Sequence, residues 1–375
     1  MFNFLSLKSE AFGLDISDFS LKIVKLKKRG RFLELASLNQ SPIKPGIIVK
    51  GEIKKSDELA KIIRKSVKEV KGEKLKTKNA VVSLPEEKAF LQVIKMPYLM
   101  PEDLSSAVIF EAENHIPLPI EDVYLDYQVI SSAADKSGHC YVLLAAFPKK
   151  IIDSYISCLE KANIKPTVLE TESLAISRAL IKNSLMSQPV LIIDFGANRS
   201  IFIIFVGQSI VFTFSIPVSS QSFTEAIARE MRINLEQAEK LKIEYGLSYG
   251  LEESSKEEAR EVFEALVPAL TDLTEQIKKY FEYYETHVSF EYLPSDLKKG
   301  SKNMPAEKRR IEKILICGAA ARLKGLTDFL SAELKMPVAF GDPWVNIKLK
   351  KTIARKEEYL SYATALGLAL RGIKL

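Results

Sequence analysis

The chain has 375 residues, 47% of them hydrophobic and 27% charged, which is sufficient for two or more domains with substantial cores. Its 54 basic and 48 acidic residues leave a net charge of +6, and because a dedicated nucleic-acid binder needs a larger excess, we expect no nucleic-acid partner. The three cysteines and three histidines are dispersed, which argues against a disulfide framework or a zinc site. No run of about 18 apolar residues occurs, so the sequence predicts no membrane-spanning helix.

The chain begins with a predicted β-meander that leads into a helix and a further strand. β-rich runs at 12–16, 21–27 and 32–41 predict three strands joined by tight turns. Apolar residues recur at helical spacing over 56–70, which predicts an amphipathic helix. The apolar run at 79–84 predicts a further strand, so this segment has the order β-β-β-α-β.

A different pattern over residues 85–163 indicates a small α/β insert. Pro101 opens a predicted helix that has Glu102 and Asp103 in its first turn, where acidic side chains favour the helix dipole. The predicted elements are a strand at 88–95, a helix at 101–114, strands at 124–130 and 141–147, and a helix at 149–163.

The opening pattern of strands returns in the second half of the chain. Three predicted strands occupy 190–195, 201–206 and 209–217. The remaining predicted elements are a long helical tract at 223–287 that is broken near 246–255, a strand at 311–316, and helices at 322–335 and 356–371. A repeated meander of this kind is typical of two related domains.

Each meander carries an aspartate near the end of an apolar strand, Asp15 in Phe12-Gly-Leu-Asp-Ile-Ser17 and Asp194 in Leu191-Ile-Ile-Asp-Phe-Gly196. A carboxylate there costs desolvation energy unless a partner satisfies it. Small residues at the turns let backbone N–H groups approach an anion closely. We therefore predict that the two hairpins hold a polyphosphate, with Asp15 and Asp194 binding Mg²⁺ through water. The alternative is that each aspartate bonds to the backbone of its own turn.

These hairpins resemble the phosphate motifs of the actin, Hsp70 and sugar-kinase ATPases. Residues 12–22 resemble the first phosphate motif, 194–200 the second, and 317–325 the adenosine motif. Ala238-Glu-Lys-Leu-Lys242 is similar to the A-E-x-x-K segment of the bacterial actins, whose Glu and Lys lie near the ribose and adenine. The resemblance implies ATP with Mg²⁺ as the cofactor. It implies these nucleotide-binding residues: Asp15, Ser17, Lys22, Asp194, Gly196, Ala197, Asn198, Glu239, Lys242, Gly318 and Ala319.

Further segments narrow the resemblance to the PilM family of type IV pilus assembly proteins, which are relatives of the division protein FtsA. Much of the resemblance lies in the insert, at 95–104, 110–119 and 122–129, and the segments 169–175 and 367–371 also fit. The family implies an actin-like (ribonuclease H-like) α/β fold with two domains, an interdomain nucleotide cleft and a small α/β insert in the first domain.

The family fold also sets the expected domain boundaries. The first domain covers 1–189 and includes the insert at 85–163. The second domain covers 190–345 and includes a helical subdomain at about 220–305. A C-terminal helix within 346–375 is expected to return to the first domain.

The resemblance implies a cytoplasmic scaffold at the inner-membrane platform of a type IV pilus, or of a related secretion or competence system. PilM proteins bind a short cytoplasmic N-terminal peptide of the bitopic membrane protein PilN. We therefore expect a PilN-like partner and an indirect, peripheral association with the cytoplasmic face of the inner membrane. Other platform proteins and the assembly ATPase are further expected partners. Four insert residues are candidate peptide contacts, although each also fits a core or turn position: Phe90, Ile116, Pro117 and Leu118.

The nucleotide motifs depart from the family pattern at positions that normally hold glycine. Ser17 replaces the glycine of the first motif, and Ala319 follows Gly318 where the family has paired glycines. Ser219 and Ser220 stand where relatives often have two glycines. Each added Cβ occupies space where the backbone would meet a ligand. We therefore expect weak or residual ATP binding with little turnover.

Glu172 is the candidate catalytic residue, because it aligns with the glutamate that helps to position the attacking water in bacterial actins. The alternative is a first-turn helix residue that the helix dipole favours. Two other functions stay open on the sequence alone: an FtsA-like, filament-forming, membrane-associated ATPase and an active sugar-kinase-type phosphotransferase.

The basic residues are concentrated in a few segments. Residues 22–31 hold six basic side chains and no acidic one. We interpret this run as a solvated surface, and attraction to anionic lipid head groups is the alternative.

Overall fold

The computed structural model describes residues 10–130, 138–248, 257–287, 310–348 and 356–374. The chain divides into two compact units. The first unit comprises Met1–Val129, Gly138–Ser184 and Asp342–Leu375, and the second comprises Leu185–Gly341 with the short segment Ile130–Ser137. The C-terminal segment therefore belongs to the same unit as the N-terminal strands.

The start of the chain forms the predicted meander, helix and strand. The elements are β1 (Phe12–Ile16), β2 (Ser20–Arg29), β3 (Phe32–Pro42), the short pair β4 (Ile48–Val49) and β5 (Glu52–Ile53), α1 (Ser56–Lys68), β6 (Lys71–Gly72) and β7 (Asn79–Leu84). Antiparallel pairing joins β1 to β2 and β2 to β3, and β7 runs parallel to β1. Every residue of β1 is buried, as expected for a strand that is covered on both faces.

The insert has a sheet and a core of its own. Its elements are β8 (Phe90–Pro97), α2 (Pro101–Ala112), β9 (Val123–Val129) and β10 (His139–Pro148). Strand β10 lies between β8 and β9, and both pairings are antiparallel. Ile94 of β8, Val108 of α2 and Val142 of β10 belong to one buried cluster. The four elements are therefore held together by apolar contacts among themselves.

Helix α3 (Lys149–Lys161) lies within the segment 85–163 that we assigned to the insert, yet its side chains belong to the core of the main sheet. Tyr155 and Leu159 share a buried cluster with Phe12 of β1. The apolar stripe of this amphipathic helix thus covers the main sheet rather than the insert. The chain continues with β11 (Lys165–Thr171), which pairs parallel to β7, and α4 (Glu172–Leu180).

The second unit contains a five-stranded sheet with associated helices. Its elements are β12 (Met186–Phe195), β13 (Ser200–Gly207), β14 (Ser209–Ile216), α5 (Ser220–Met231), α6 (Leu235–Glu244), α7 (Glu257–His287), β15 (Lys313–Cys317), α8 (Leu326–Leu334) and β16 (Val338–Phe340). The spatial order is β14-β13-β12-β15-β16. The predicted second meander is therefore confirmed, and two parallel strands extend it on the β12 side.

The long helical tract predicted from residue 223 has one break that the sequence analysis missed. Helix α5 ends at Met231, and the following cap residue, Arg232, adopts a left-handed conformation with φ 54°. Asn234 then caps α6: its side chain accepts from the Gln237 backbone N–H, while the Gln237 side chain accepts from the Asn234 N–H. This reciprocal capping box starts a new helix, and the Asn-x-x-Gln spacing was its visible signal.

The helix predicted at 322–335 begins only at Leu326. Gly325 precedes it with a left-handed φ of 77°, and a side chain at this position would meet the backbone of Leu247. The last predicted helix is a 3₁₀ turn followed by α9 (Ala363–Lys374). Within the described ranges, none of the helices combines the length and the apolar character needed to cross a bilayer.

Close packing around a glycine holds α9 against α4 in the first unit. A side chain added at Gly367 of α9 would overlap the backbone of Ala175 in α4. Arg178 of α4 donates to the Gly367 carbonyl at 3.0 Å and forms a two-point ion pair with Glu170 of β11. The approach of the two helices therefore depends on the absence of a side chain at Gly367.

We expect Gly367→Ala to lower the free energy of unfolding by about 1–3 kcal/mol, because overpacking this contact outweighs a gain in helix propensity of about 1 kcal/mol. Chemical denaturation followed by circular dichroism measures the change. Arg371→Ala, at an exposed position of the same helix, is the control and should change stability by less than about 0.5 kcal/mol. A Gly367→Ala protein as stable as the parent would contradict the close packing.

Candidate functional site

The carboxylate of Asp15 is satisfied by side chains of neighbouring strands. Asp15 lies opposite Lys22 in the β1–β2 register, and Lys22 Nζ is 3.5 Å from Asp15 Oδ2. The Ser83 hydroxyl donates to Asp15 Oδ1 at 3.1 Å and accepts from the Ile16 backbone N–H. Asp15 and Lys22 are both buried, so their opposite charges compensate each other. The structure therefore places the partners of Asp15 across the sheet, not in its own turn.

The turn after β1 gathers hydroxyl and ammonium groups. The Ser17 backbone N–H donates to the Ser20 carbonyl at 2.9 Å, and the Ser17 hydroxyl donates to the same carbonyl at 3.0 Å. Lys22 Nζ donates to the Ser20 hydroxyl at 3.1 Å. These are donors of the kind that a phosphate needs, and here they already bond within the turn. The Ser17 side chain thus forms a hydrogen bond within this turn, at a position where the family pattern has glycine.

Asp194 lies at the end of β12, beside Cys317 of the parallel strand β15. The Cys317 thiol donates to Asp194 Oδ1 at 3.5 Å. Burial, with the Asp194 carboxylate as a further cause, holds the pKa of this thiol well above its ordinary value, so it stays a protonated donor. Gly318 follows with φ 91°, and a side chain there would overlap Asp194 and the Phe195 carbonyl. Gly318 is thus required by the local packing, and Ala319 after it is exposed.

The loop of the second phosphate motif bonds to the N-terminus of α5. The Ser220 and Gln221 backbone N–H groups donate to the carbonyls of Gly196 and Ala197 at 3.1 and 3.0 Å. Ser219 and Ser222 form a capping box that uses the next N–H group. Asn198 lies half-buried in this turn. A helix N-terminus is a ready anion site only while its first N–H groups are free, and these groups already have partners.

Lys242 of α6 is buried against the first turn of α5. Its Nζ donates to the Ser220 carbonyl at 3.0 Å, the Ser220 hydroxyl at 2.8 Å, the Thr224 hydroxyl at 2.7 Å and the Glu239 carboxylate at 2.7 Å. Burial lowers the pKa of Lys242, and the bond to Glu239 opposes that shift. The residue predicted to lie near the nucleotide base therefore links two helices, while the Glu239 side chain is 45% exposed.

Glu172 is the first residue of α4 and contacts a neighbouring turn. Its carboxylate accepts from the Glu86 backbone N–H at 3.2 Å, and the Glu86 carboxylate accepts from the Ser173 N–H at 3.1 Å. Thr171 caps the helix through the Leu174 N–H. Each glutamate carboxylate thus accepts a backbone N–H from the segment of the other glutamate. This contact explains why a glutamate stands at the start of α4. Its catalytic role stays a prediction.

The four candidate peptide contacts fall into two groups. Ile116 is only 6% exposed and lies in the insert core, and Phe90 is half-buried against the same core. This is the core position that the sequence analysis kept as the alternative. Pro117 and Leu118 are exposed.

Two more exposed apolar residues lie on α2, and the sequence analysis did not select them. Ile109 is 45% exposed and Phe110 is 71% exposed, whereas the preceding Val108 is fully buried. The signal was the uninterrupted run Val108-Ile109-Phe110. A helix turns by about 100° per residue, so a core on one side cannot cover all three.

The family model described as "Type IV pilus assembly protein PilM" matches residues 13–294 and 301–373. Among solved structures, the chain is similar to a PilM-PilN type IV pilus biogenesis complex, with a TM-score of 0.79, 24% identity, and coverage of 98% of this chain and 99% of that chain. It is also similar to MreB5 of Spiroplasma citri bound to AMPPNP, with a TM-score of 0.53, 13% identity, and coverage of 97% and 96%. These likenesses confirm the predicted actin-like α/β fold.

The chain is also similar to a curated protein. The cell division protein FtsA of Bacillus subtilis (strain 168) is 25% identical over 215 residues, which cover 53% of this chain and 46% of FtsA. The chain therefore spans about half the length of the curated relative that it matches.

We expect Lys242→Ala to destabilise the protein by about 1–3 kcal/mol, because it removes a buried donor from the Ser220, Thr224 and Glu239 acceptors. Denaturant unfolding without nucleotide measures the loss. Lys240→Ala is the matched control: this neighbour on α6 pairs with Glu236 at the surface and contributes less than about 0.5 kcal/mol. Equal unfolding midpoints for the two variants would rule out a structural role for the Lys242 contacts.

Proposed function

Because the chain belongs to the PilM family of type IV pilus assembly proteins, we propose that it is an actin-like scaffold of the pilus inner-membrane platform. In this role it binds the cytoplasmic N-terminal peptide of a PilN-like membrane protein, at the cytoplasmic face of the membrane. The likeness to a solved complex that contains PilN supports this partner. The observation on this chain that carries the proposal is the set of exposed apolar side chains on the insert.

This insert surface is defined by residues between β8 and β9 that are large, apolar and exposed: Tyr98, Met100, Ile109, Phe110 and Leu118. Phe110 is the most exposed of them, at 71%. Such side chains cost free energy in water unless a partner covers them, and we propose that the partner peptide covers these. An extended peptide gains most of its affinity from a few apolar or aromatic anchors. Phe110 and Leu118 are therefore the proposed anchors.

Phe110→Ala should weaken binding of a synthetic peptide that corresponds to the cytoplasmic N-terminus of the PilN-like partner by about 30-fold, which is typical of a lost aromatic anchor worth about 2 kcal/mol. Fluorescence anisotropy of the labelled peptide measures the affinity. Ile243→Ala removes an apolar side chain of similar exposure, 66%, from the second unit and should leave the affinity unchanged. Unchanged binding by Phe110→Ala would remove the insert surface from the proposal.

The proposed scaffold also binds Mg-ATP, weakly. The carboxylates of Asp15 and Asp194 suit a hydrated cation, and the described residues contain no cluster of three or more His, Cys, Asp or Glu that would bind one directly. MreB5, which shares the fold, has been solved bound to AMPPNP, a nucleotide analogue. Phosphate donors fit less well, because the α5 N-terminus and Lys242 already have internal partners. Mg²⁺, when bound, would supply charge neutralisation for the phosphates.

The remaining motif residues have the following proposed roles. Ser17, Lys22, Gly196, Ala197 and Asn198 would contact phosphate, Glu239 and Lys242 the ribose and base, and Gly318 and Ala319 the adenosine. Glu172 would position water if turnover occurs. Each role follows from the position of the residue in the matched motifs.

Calorimetric titration with Mg-ATP should give weak binding that Asp194→Asn abolishes, because the amide cannot attract hydrated Mg²⁺ as a carboxylate does. Asp57→Asn, at an exposed position of α1, is the control and should bind as the parent does. ATP turnover should stay far below about 1 s⁻¹, the lower end of typical enzymes. A rate at or above that value would make the protein an ATPase and overturn the scaffold assignment.

A further inference from the structure

The structure divides the six basic residues of the segment 22–31 into two groups. The inner three each have an acidic partner, in the pairs Lys22–Asp15 at 3.5 Å, Lys25–Glu10 at 2.9 Å and Lys27–Glu73. The outer three, Lys28, Arg29 and Arg31, surround the turn between β2 and β3 and are exposed. Arg29 lies 3.6 Å from Glu34, whereas Lys28 and Arg31 form no ion pair with any of the described residues. The positive charge of this segment that lacks an acidic partner is therefore concentrated at the end of this hairpin.

A fourth cation and an aromatic ring complete this end of the hairpin. Lys348 donates its backbone N–H to the Leu33 carbonyl at 2.9 Å, and its Nζ lies 4.0 Å from the centre of the Phe32 ring. The Arg31 guanidinium lies 5.0 Å from the same ring centre. Phe32 remains 38% exposed. We call the set Lys28, Arg29, Arg31, Phe32 and Lys348 the hairpin tip.

The hairpin tip is held on a packed support. Leu33 and Leu35 of β3 pack against a buried cluster that contains Trp344 and Ile347. Gly30 gives the turn its left-handed φ of 59°. The hairpin that carries these cations is thus anchored to a buried cluster, which reduces the entropy that binding a partner costs.

We propose that the hairpin tip binds the surface of an anionic phospholipid bilayer. Guanidinium and ammonium groups bind lipid phosphates, and long basic side chains extend their charged ends to the head groups while their stems and an aromatic ring meet apolar chains. Among the described residues, Glu34 is the one acid that forms an ion pair with these four cations, and its side chain is only 12% exposed. A convex turn with one aromatic ring suits a flat surface, whereas single-stranded nucleic acid is held in grooves with several stacking rings.

Cosedimentation with vesicles tests this proposal on the full chain without any partner protein, so its result is independent of the proposed peptide binding. The protein should bind phosphatidylcholine vesicles that contain phosphatidylglycerol, bind vesicles of phosphatidylcholine alone far less, and lose affinity as salt is raised. Arg31→Gln with Lys348→Gln should weaken binding about 25-fold, since each cation near an anionic surface contributes about fivefold. Phe32→Ala should weaken binding while keeping its salt dependence.

The matched control is Lys44→Gln with Lys279→Gln, which removes the same charge from two exposed positions outside the tip and should bind as the parent does. Circular dichroism of each variant establishes that it is folded. Equal binding to charged and uncharged vesicles, or undiminished binding by the Arg31/Lys348 variant, would overturn the proposal. So would a protein that ignores vesicles but binds a single-stranded oligonucleotide through the same residues, since the tip would then be a nucleic-acid site.

Discussion

Compensation of buried charge is the constraint on which the candidate site depends. The buried pairs are Lys22–Asp15 and Arg178–Glu170 in the first unit, and in the second unit the buried Lys242 pairs with the partly exposed Glu239. A buried charge that loses its partner is strongly destabilising, because the low-dielectric interior cannot replace the lost interaction. These side chains therefore cannot turn toward a ligand unless the ligand returns a comparable interaction. The motif residues Lys22 and Lys242 therefore have a structural role within their own units, whether or not they also contact a ligand.

The same constraint acts on backbone donors in the second unit. The first N–H groups of α5 bond to the Gly196 and Ala197 carbonyls, and the Ser219 side chain caps the next one. A phosphate at this position has to exchange these bonds for its own, and each internal hydrogen bond contributes only about 0.5–1.5 kcal/mol net. The number of hydrogen bonds would be nearly unchanged by this exchange, but the capping geometry of α5 would be lost. The proposal of weak nucleotide binding therefore rests on the internal partners of these donors, in addition to the lost glycines.

The sequence predicted the elements well because their patterns are local. Alternating and continuous apolar runs located both meanders, and helical spacing located α1 and α3, although not which sheet α3 covers. The Asp15–Lys22 contact was not predicted, because it depends on the register across the β1–β2 turn. Lys242 showed only a neighbouring glutamate in sequence, and its acceptors on α5 lie about 20 residues away in the chain. On α2, three consecutive apolar residues do not show which side of the helix faces the core. The exposure of Phe110 could therefore be recognised only from the structure.

Charge patterns in the sequence have the same limit, and the β2–β3 hairpin shows why. Lys27 and Arg31 are equivalent members of one basic run, yet Lys27 pairs with Glu73 from the loop before β7, whereas Arg31 lies beside the Phe32 ring and forms no ion pair with the residues that the structure describes. What separates them is which residues the tertiary fold brings alongside the strand. The charge of a cation with an acidic partner is largely neutralised within the fold. A cation without such a partner produces a positive potential that attracts an anionic surface. The residues most available to partners of this chain are therefore those whose charge or apolar surface the fold leaves uncovered, whether or not a sequence motif includes them.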